Sequence, residues 1–353
     1  FFQTVRGKIH AVCTGCISLS FFGSCFTVYS VQKISLTIYS VILQAMKATV
    51  YKSTGSWYIV KDEAGKFWNA RMKGVMKMDD ITSTNPVAVG DIVEIESQAD
   101  TEHSAIIDEI HKRNNYINRQ SPRHKHQHHI VAANLDQSML VATLKEPKTS
   151  QGFIDRFLVA SEMYHVSPFI VFNKADLYKA KEMEKYEQWK AMYEAVGYKV
   201  FLISAEKNEG IDEVMKMLKD KTTLISGHSG VGKSSFLNVV FPDFNLKTQD
   251  VSGWSGKGQH TTTFAEMFDL PFGGRIIDTP GMREFGLVDI TKQEVSHYFP
   301  EMRDRLNDCQ FNNCLHFNEP GCAIKEAVNN GEIHEDRYVS YLGIMESIEE
   351  KSY

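Results

Sequence analysis

The spacing of apolar and polar residues changes twice along this chain, and each change marks a different kind of fold. From Lys47 to about residue 110, apolar and polar positions alternate in short runs broken by turn residues, the period-2 pattern of half-buried strands. Ala48–Tyr51, Ser56–Lys61, Phe67–Met72, Asp91–Ile95 and Ser104–Ile110 are the predicted strands. Gly55, Asp62–Gly65 and Val89–Asp91 supply the turns between them. Five short strands in so little chain predict a small Greek-key barrel of the OB type. From Ile130 the pattern becomes continuous apolar runs alternating with helices, which predicts a parallel sheet covered on both faces. Its strands are Gln137–Thr143, Pro168–Phe172, Lys199–Ile203, the run leading from Leu224, and Arg275–Asp278. Its helices lie near Gly152–His165, Lys179–Val196, Ile211–Leu218 and Ser234–Val240. Beyond them Gln293–Met302, Ile324–Asn329 and Arg337–Glu350 read as helices.

Charge and composition add detail to this outline. The 353 residues carry a net charge of −5 with 42% hydrophobic and 24% charged residues, so the chain as a whole has no nucleic-acid-type basicity. The segment from Lys112 to His129 is different. It holds Lys112, Arg113, Arg119, Arg123 and Lys125, no acidic residue, and the cluster His124, His126, His128 and His129. It reads as a solvated linker able to touch RNA phosphates, with a His-based metal site as the competing reading. In the barrel, Tyr51, Trp57, Tyr58 and Trp68 are candidate stacking platforms for RNA bases, or else they fill its interior. Residues 1–45 have no charge between Ile9 and Gln32 and no helical periodicity. A signal peptide or membrane anchor is one reading; an extension outside the natural protein, or a disordered one, with Met46 as the start, is the expected one. The organisation expected is therefore an extension over 1–45, an OB-type barrel over 46–117, a basic His-rich linker over 118–129, an α/β domain over 130–288 and a mostly helical domain over 289–353.

The chemistry is concentrated in four short motifs. Gly227-His228-Ser229-Gly230-Val231-Gly232-Lys233-Ser234-Ser235 follows an apolar strand and opens a helix, and it satisfies the phosphate-binding P-loop pattern. Glycines let successive N–H groups converge on one anion, and the helix adds its positive end. Lys233 is expected to reach the β and γ phosphates, and the Ser234 hydroxyl to sit on Mg²⁺. Asn173-Lys174-Ala175-Asp176 ends a buried strand, where ligands sit in such sheets. Asp176 can accept from guanine N1–H and the 2-amino group, which adenine does not offer. Asn173 braces the loop, the Lys174 stem lies along the base, and Ser204-Ala205 supplies the N–H for the guanine 6-oxo group. A site built on such bonds selects GTP and GDP over ATP. Asp278-Thr-Pro-Gly281 is a D-x-x-G element, with Asp278 for Mg²⁺ and the Gly281 N–H for the γ phosphate. The glycine-rich stretch Val251–Thr263 suits a switch whose threonine joins Mg²⁺; Thr262 is the favoured one of Thr261, Thr262 and Thr263.

Order carries as much information as content. Ordinary GTPases run P-loop, switch Thr, D-x-x-G, N-K-x-D, then Ser-Ala. In this chain the last two come first, so the domain is circularly permuted and D-x-x-G lies directly before the C-terminal domain. That domain holds Cys309, Cys314, His316 and Cys322, a complete tetrahedral set for structural zinc. The other three cysteines, Cys13, Cys16 and Cys25, are remote in sequence, which argues for a reducing compartment rather than a disulfide framework.

A permuted GTPase between an OB-like barrel and a Cys-Cys-His-Cys knuckle resembles the RsgA (YjeQ) family, over about Met46 to Tyr353. The resemblance rests on Asn173–Asp176, Gly227–Ser235, Gly258-Gln-His-Thr-Thr-Thr263, Asp278–Gly281 and the zinc spacing. It implies a cytoplasmic GTPase acting late in assembly of the small ribosomal subunit, binding its rRNA and stimulated by that subunit. A monomer with GTP or GDP, Mg²⁺ and one Zn²⁺ is expected, with no membrane partner. Met282 stands where many GTPases carry a water-orienting Gln. Intrinsic hydrolysis is therefore expected to be slow, with His260 or a ribosomal group assisting. The competing reading is a GTP-gated RNA-binding module with negligible turnover. A P-loop kinase is disfavoured because N-K-x-D would have no purpose in it.

Overall fold

The computed structural model describes residues 45–73, 86–98, 103–120, 128–241, 265–279, 287 and 290–348, together with the backbone of 4–5 and 8–9. Phe1–Gln44 form a unit of their own, in which β1 (Thr4–Val5) and β2 (Lys8–Ile9) pair antiparallel. Everything from Ala45 onward is a second unit.

The barrel is built from β3 (Met46–Ser53), β4 (Tyr58–Asp62), β5 (Phe67–Met72), β6 (Ile92–Ser97) and β7 (Ser104–Ile110). They run in the order β3-β4-β5-β7-β6, and β6 returns to pair with β3, so the sheet closes on itself and its edges are satisfied. Alternation puts Val50, Val60, Ala70, Val93, Ile95 and Ile107 inside with no exposed surface. The first predicted turn reaches further than expected. Ser56 and Trp57 belong to it, and β4 starts at Tyr58.

The segment expected to be a solvated linker is partly a hairpin. β8 (Tyr116–Gln120) pairs antiparallel with β9 (His128–Ala133). The reason is apolar: Ile117, Ala132 and Ala133 are fully buried, and these few positions lie close to a run of basic and histidine residues with no alternation to mark a strand. Gly90 lets the barrel approach this hairpin, since its φ is +91° and a Cβ there would lie 2.1 Å from the Ala133 carbonyl oxygen.

The α/β domain runs β10 (Gln137–Ala142), α1 (Gln151–Met163), β11 (Ser167–Phe172), α2 (Ala180–Ala195), β12 (Lys199–Leu202), α3 (Ile211–Leu218), β13 (Thr222–Ser226), α4 (Lys233–Val240), β14 (Glu266–Asp269) and β15 (Arg275–Asp278). Strand order is β12-β11-β10-β13-β15-β14, parallel except for β14. Phe157, Phe172, Trp189 and Tyr193 pack one face, while Met139, Val214, Leu218 and Phe236 pack the other. The short strand β14, which the sequence did not predict, is the seam to the barrel. Glu266 bridges to Lys52 of β3, and Asp269 takes the Tyr51 hydroxyl and the Lys61 ammonium, each at 2.6 Å.

The C-terminal part contains a 3₁₀ turn at Val295–Tyr298, then α5 (Pro300–Arg303), α6 (Ala323–Asn329) and α7 (Glu335–Glu346). The single helix expected over Gln293–Met302 is thus divided. Pro300 lacks an N–H and stands at the first position of α5, which suits a helix start and not an interior. The domain is fastened to α1 by Arg337, 1% exposed. Its guanidinium meets Asp155 at 2.6 Å and Glu301 at 2.7 and 3.2 Å. Among the described residues no helix is long and apolar enough to cross a membrane.

Candidate functional site

The predicted phosphate loop lies where β13 meets α4, and its glycines are required by close approach. Gly227 has φ +145°, and a Cβ on it would sit 2.2 Å from the Val141 carbonyl oxygen. Gly232, φ +92°, would strike the Asn173 amide nitrogen at 2.3 Å. Lys233 begins α4 and turns back over the loop. Its Nζ donates to the carbonyls of Gly227 at 2.6 Å and His228 at 2.9 Å. Burial lowers the Lys233 pKa, and the nearby Asp278 carboxylate opposes that. Asp278 ends β15, one strand over from β13, in register with Ile225. Burial pushes its pKa up, offset in part by Lys233.

Asp278 Oδ1 and Thr279 Oγ1 are buried without a hydrogen-bond partner. Buried oxygens are rarely left so, and a hard dication coordinated by oxygen would satisfy them. A cluster of Asp278, Thr279 and the loop that presents Ser234 therefore fits Mg²⁺ on its own chemistry.

The base-recognition motif is drawn to the same place by one side chain. Asn173, 1% exposed, donates from Nδ2 to the Val231 carbonyl at 2.9 Å, inside the phosphate loop. Its Oδ1 accepts from the Ala205 N–H at 3.0 Å. Three segments far apart in sequence are thereby joined at a single amide. Lys174 adopts the left-handed conformation, φ 65°, and its ammonium donates to the Glu146 carbonyl. Asp176 lies on the 3₁₀ turn Ala175–Leu177, where the Ser204 hydroxyl donates to Oδ1 at 2.6 Å. Of the N–H groups in the Ser204-Ala205 loop expected to meet the base, that of Ala205 is donated to Asn173. Sequence reasoning missed Tyr178, whose hydroxyl donates to the Asn173 carbonyl at 2.8 Å and accepts from the Leu144 N–H at 2.9 Å. Nothing in its local pattern marks it. His260, Thr261, Thr262, Thr263, Gly281 and Met282 lie outside the described residues.

A second cluster lies in the C-terminal domain. One donor atom from each of Cys309, Cys314, His316 and Cys322 falls within 4.8 Å of the others, and all four residues are buried. His316 Nδ1 is 3.6 Å from the Cys309 sulfur and 3.4 Å from that of Cys322. Burial, then the neighbouring cysteines, push the Cys314 thiol up to about 12 against an opposing bond from the His316 N–H. Burial lowers the His316 pKa, which keeps the imidazole neutral, as a ligand must be. Three sulfurs and one nitrogen at this spacing fit tetrahedral zinc and leave no position for catalysis.

On the barrel, the four candidate platforms divide. Tyr51 and Tyr58 are buried, whereas Trp57 is 44% exposed and carries the Arg71 guanidinium 3.5 Å from its ring centroid. Trp68 carries the Lys66 ammonium at 3.9 Å. Arg71 and Lys66 put positive charge beside the two tryptophans, which is the combination a single-stranded nucleic acid would use.

Residues 47–107 match the model of the RsgA N-terminal domain, and residues 110–288 match that of the RsgA GTPase. A protein of Christiangramia forsetii, named small ribosomal subunit biogenesis GTPase RsgA, is 48% identical over 309 residues, covering 87% of this chain and 98% of that one. Its namesake in Cytophaga hutchinsonii is 50% identical over 300 residues, covering 85% and 98%. Among solved structures, YjeQ from Thermotoga maritima superposes with a TM-score of 0.70 at 33% identity, covering 86% of this chain and 98% of its own. YloQ, described as a circularly permuted GTPase, gives 0.67 at 30% identity, covering 88% and 98%.

Proposed function

The chain belongs to the RsgA GTPase family, and from that premise we propose that it hydrolyses GTP to GDP and phosphate in the service of small ribosomal subunit assembly. The observation that carries the reading is the Asn173 amide. It ties the phosphate loop at Val231 to the Ser204-Ala205 turn, so that the base-reading and phosphate-holding parts form one site. The backbone N–H groups from Gly227 to Ser234 hold the phosphates together with the N-terminal end of α4. Lys233 keeps the loop carbonyls of Gly227 and His228, which aim its ammonium, and its remaining N–H reaches the β and γ phosphate oxygens. Asp176, oriented by Ser204, takes the two donors of guanine. Ser234 and Asp278 would hold Mg²⁺, with Thr262 joining them, and the bound ion supplies charge stabilisation on the phosphate oxygens. The Gly281 N–H, outside the described residues, is proposed as the γ-phosphate contact from the D-x-x-G pattern alone. No side chain that activates water follows from the described residues; His260 is the candidate in this chain.

The partner proposed is the small ribosomal subunit, met through its rRNA by the exposed Trp57–Arg71 pair of the barrel, with the half-buried Trp68 and its Lys66 as a second pair. The zinc knuckle shapes the C-terminal domain. The protein is proposed to act as a cytoplasmic monomer. A GTP-gated binding module remains the second reading, favoured only by Met282. Phosphate release from GTP and ATP, with Lys233→Ala as control, tests the chemistry. GTP alone should turn over, and the variant should lose that turnover. Equal turnover of ATP, or of the variant, would overturn the assignment.

A further inference from the structure

The phosphate loop is held from outside as well as within. Phe153, on the first turn of α1, stacks on the imidazole of His228 with ring centroids 3.8 Å apart and planes inclined by 28°. His228 lies inside the loop, and its carbonyl is one of the two that hold the Lys233 ammonium. The same carbonyl accepts from the Val231 N–H at 3.5 Å, and the Val231 carbonyl accepts from Asn173. Clamping the His228 ring therefore restricts the peptide unit from which Lys233 hangs. The helix that carries Phe153 is itself anchored, because Asp155, two residues on, is the buried partner of Arg337. The first turn of α1 is thus fixed on one side by the C-terminal domain and rests on the phosphate loop on the other.

We propose that Phe153 is a positioning residue for GTP binding and turnover: by stacking on His228 it holds the loop carbonyl that places Lys233. It touches neither the nucleotide nor the reacting atoms. The proposal rests on the GTPase reading, and adds to it a side chain from outside the recognised motifs. The expected effect is set by the strength of an aromatic stack, about threefold to tenfold in affinity.

The test compares GTP, GDP and GMP binding to the full chain and its variants, using displacement of a fluorescent guanine nucleotide, alongside kcat and KM for GTP. Phe153→Ala should weaken GTP and GDP by that factor and leave GMP unchanged, because GMP lacks the phosphates that Lys233 reaches. Phe153→Tyr should restore wild-type binding. His228→Ala should match Phe153→Ala, and the double variant should be no weaker than the worse single one. A loss shared equally by GMP, additive losses in the double variant, or unchanged GTP binding in Phe153→Ala would each overturn the proposal. Wild-type chain that binds no guanine nucleotide would instead refute the GTPase reading beneath it.

Discussion

Arg337→Met is the substitution whose consequence the structure determines most fully. The guanidinium is almost wholly buried and makes three bonds, to Asp155 at 2.6 Å and to Glu301 at 2.7 and 3.2 Å. Burial alone would lower the pKa of Arg337, but Asp155 and Glu301 more than offset it, so the group stays charged throughout the folding range. The side chains of Asp155 and Glu301 are 0% and 7% exposed. Methionine fills much of the space and removes the cation that lies over Phe299, which leaves two carboxylates in the interior without a counter-charge, Asp155 keeping only the Tyr193 hydroxyl at 2.9 Å. Breaking a buried pair in this way costs about 3–5 kcal/mol. In urea, with a slope of about 1–3 kcal/mol/M, that lowers the midpoint by about 1–5 M. Far-UV circular dichroism would follow the transition, and limited proteolysis around residues 290–348 would show which part is released. Replacing the carboxylates as well, as Arg337→Met with Asp155→Asn and Glu301→Gln, should recover most of the loss, because the charge problem goes with them. A single variant less than about 1 kcal/mol below wild type, or a triple variant less stable than the single one, would refute the reasoning.

Other outcomes follow from the two clusters. Asp176→Asn should weaken GTP by about 10–100-fold while xanthosine triphosphate gains, read by competition binding; equal weakening of both would remove Asp176 from base recognition. Metal analysis should find one zinc per chain, and Cys314→Ser or a strong chelator should release it with loss of helical signal from α6 and α7; full helicity in metal-free protein would contradict a structural role. Asp278 has a folded pKa above its ordinary 3.8, so the stability it contributes is fully present below 3.8 and is lost as pH rises through the elevated folded value. At neutral pH its ionised form is therefore a burden on the nucleotide-free protein. Asp278→Asn should raise the thermal midpoint of that form while abolishing Mg²⁺-dependent turnover, and a lowered midpoint would contradict the assignment.

The parts legible in sequence are those in which backbone geometry demands a residue type at a fixed spacing. Gly227 and Gly232 are forced by neighbours little more than 2 Å from where a Cβ would stand, so the loop announces itself. The zinc ligands do so because sulfur and imidazole have few other uses at that spacing. What escaped the reading depends on partners far along the chain. β14 is four residues, Glu266-Met-Phe-Asp269, with acids at both ends and little alternation. Its existence comes from β15 on one side and the barrel's Lys52, Tyr51 and Lys61 on the other. Arg337 lies on a helix with nothing local to mark it as buried, and Asp155, 182 residues earlier, together with Glu301 makes burial tolerable. The β8–β9 hairpin was hidden because its basic and histidine residues outweighed three small apolar contacts. The Phe153–His228 stack pairs a phosphate-loop position with a helix residue outside the motifs, which no local pattern could join.

The central claim is that the recognised motifs constitute a GTPase whose work is coupled to the small ribosomal subunit. GTP turnover by the purified chain, with and without purified small subunits, tests it directly. Intrinsic hydrolysis should be slow, since Met282 cannot orient water, and the rate should rise at least about tenfold when subunits are added. Equal rates with and without subunits would contradict it.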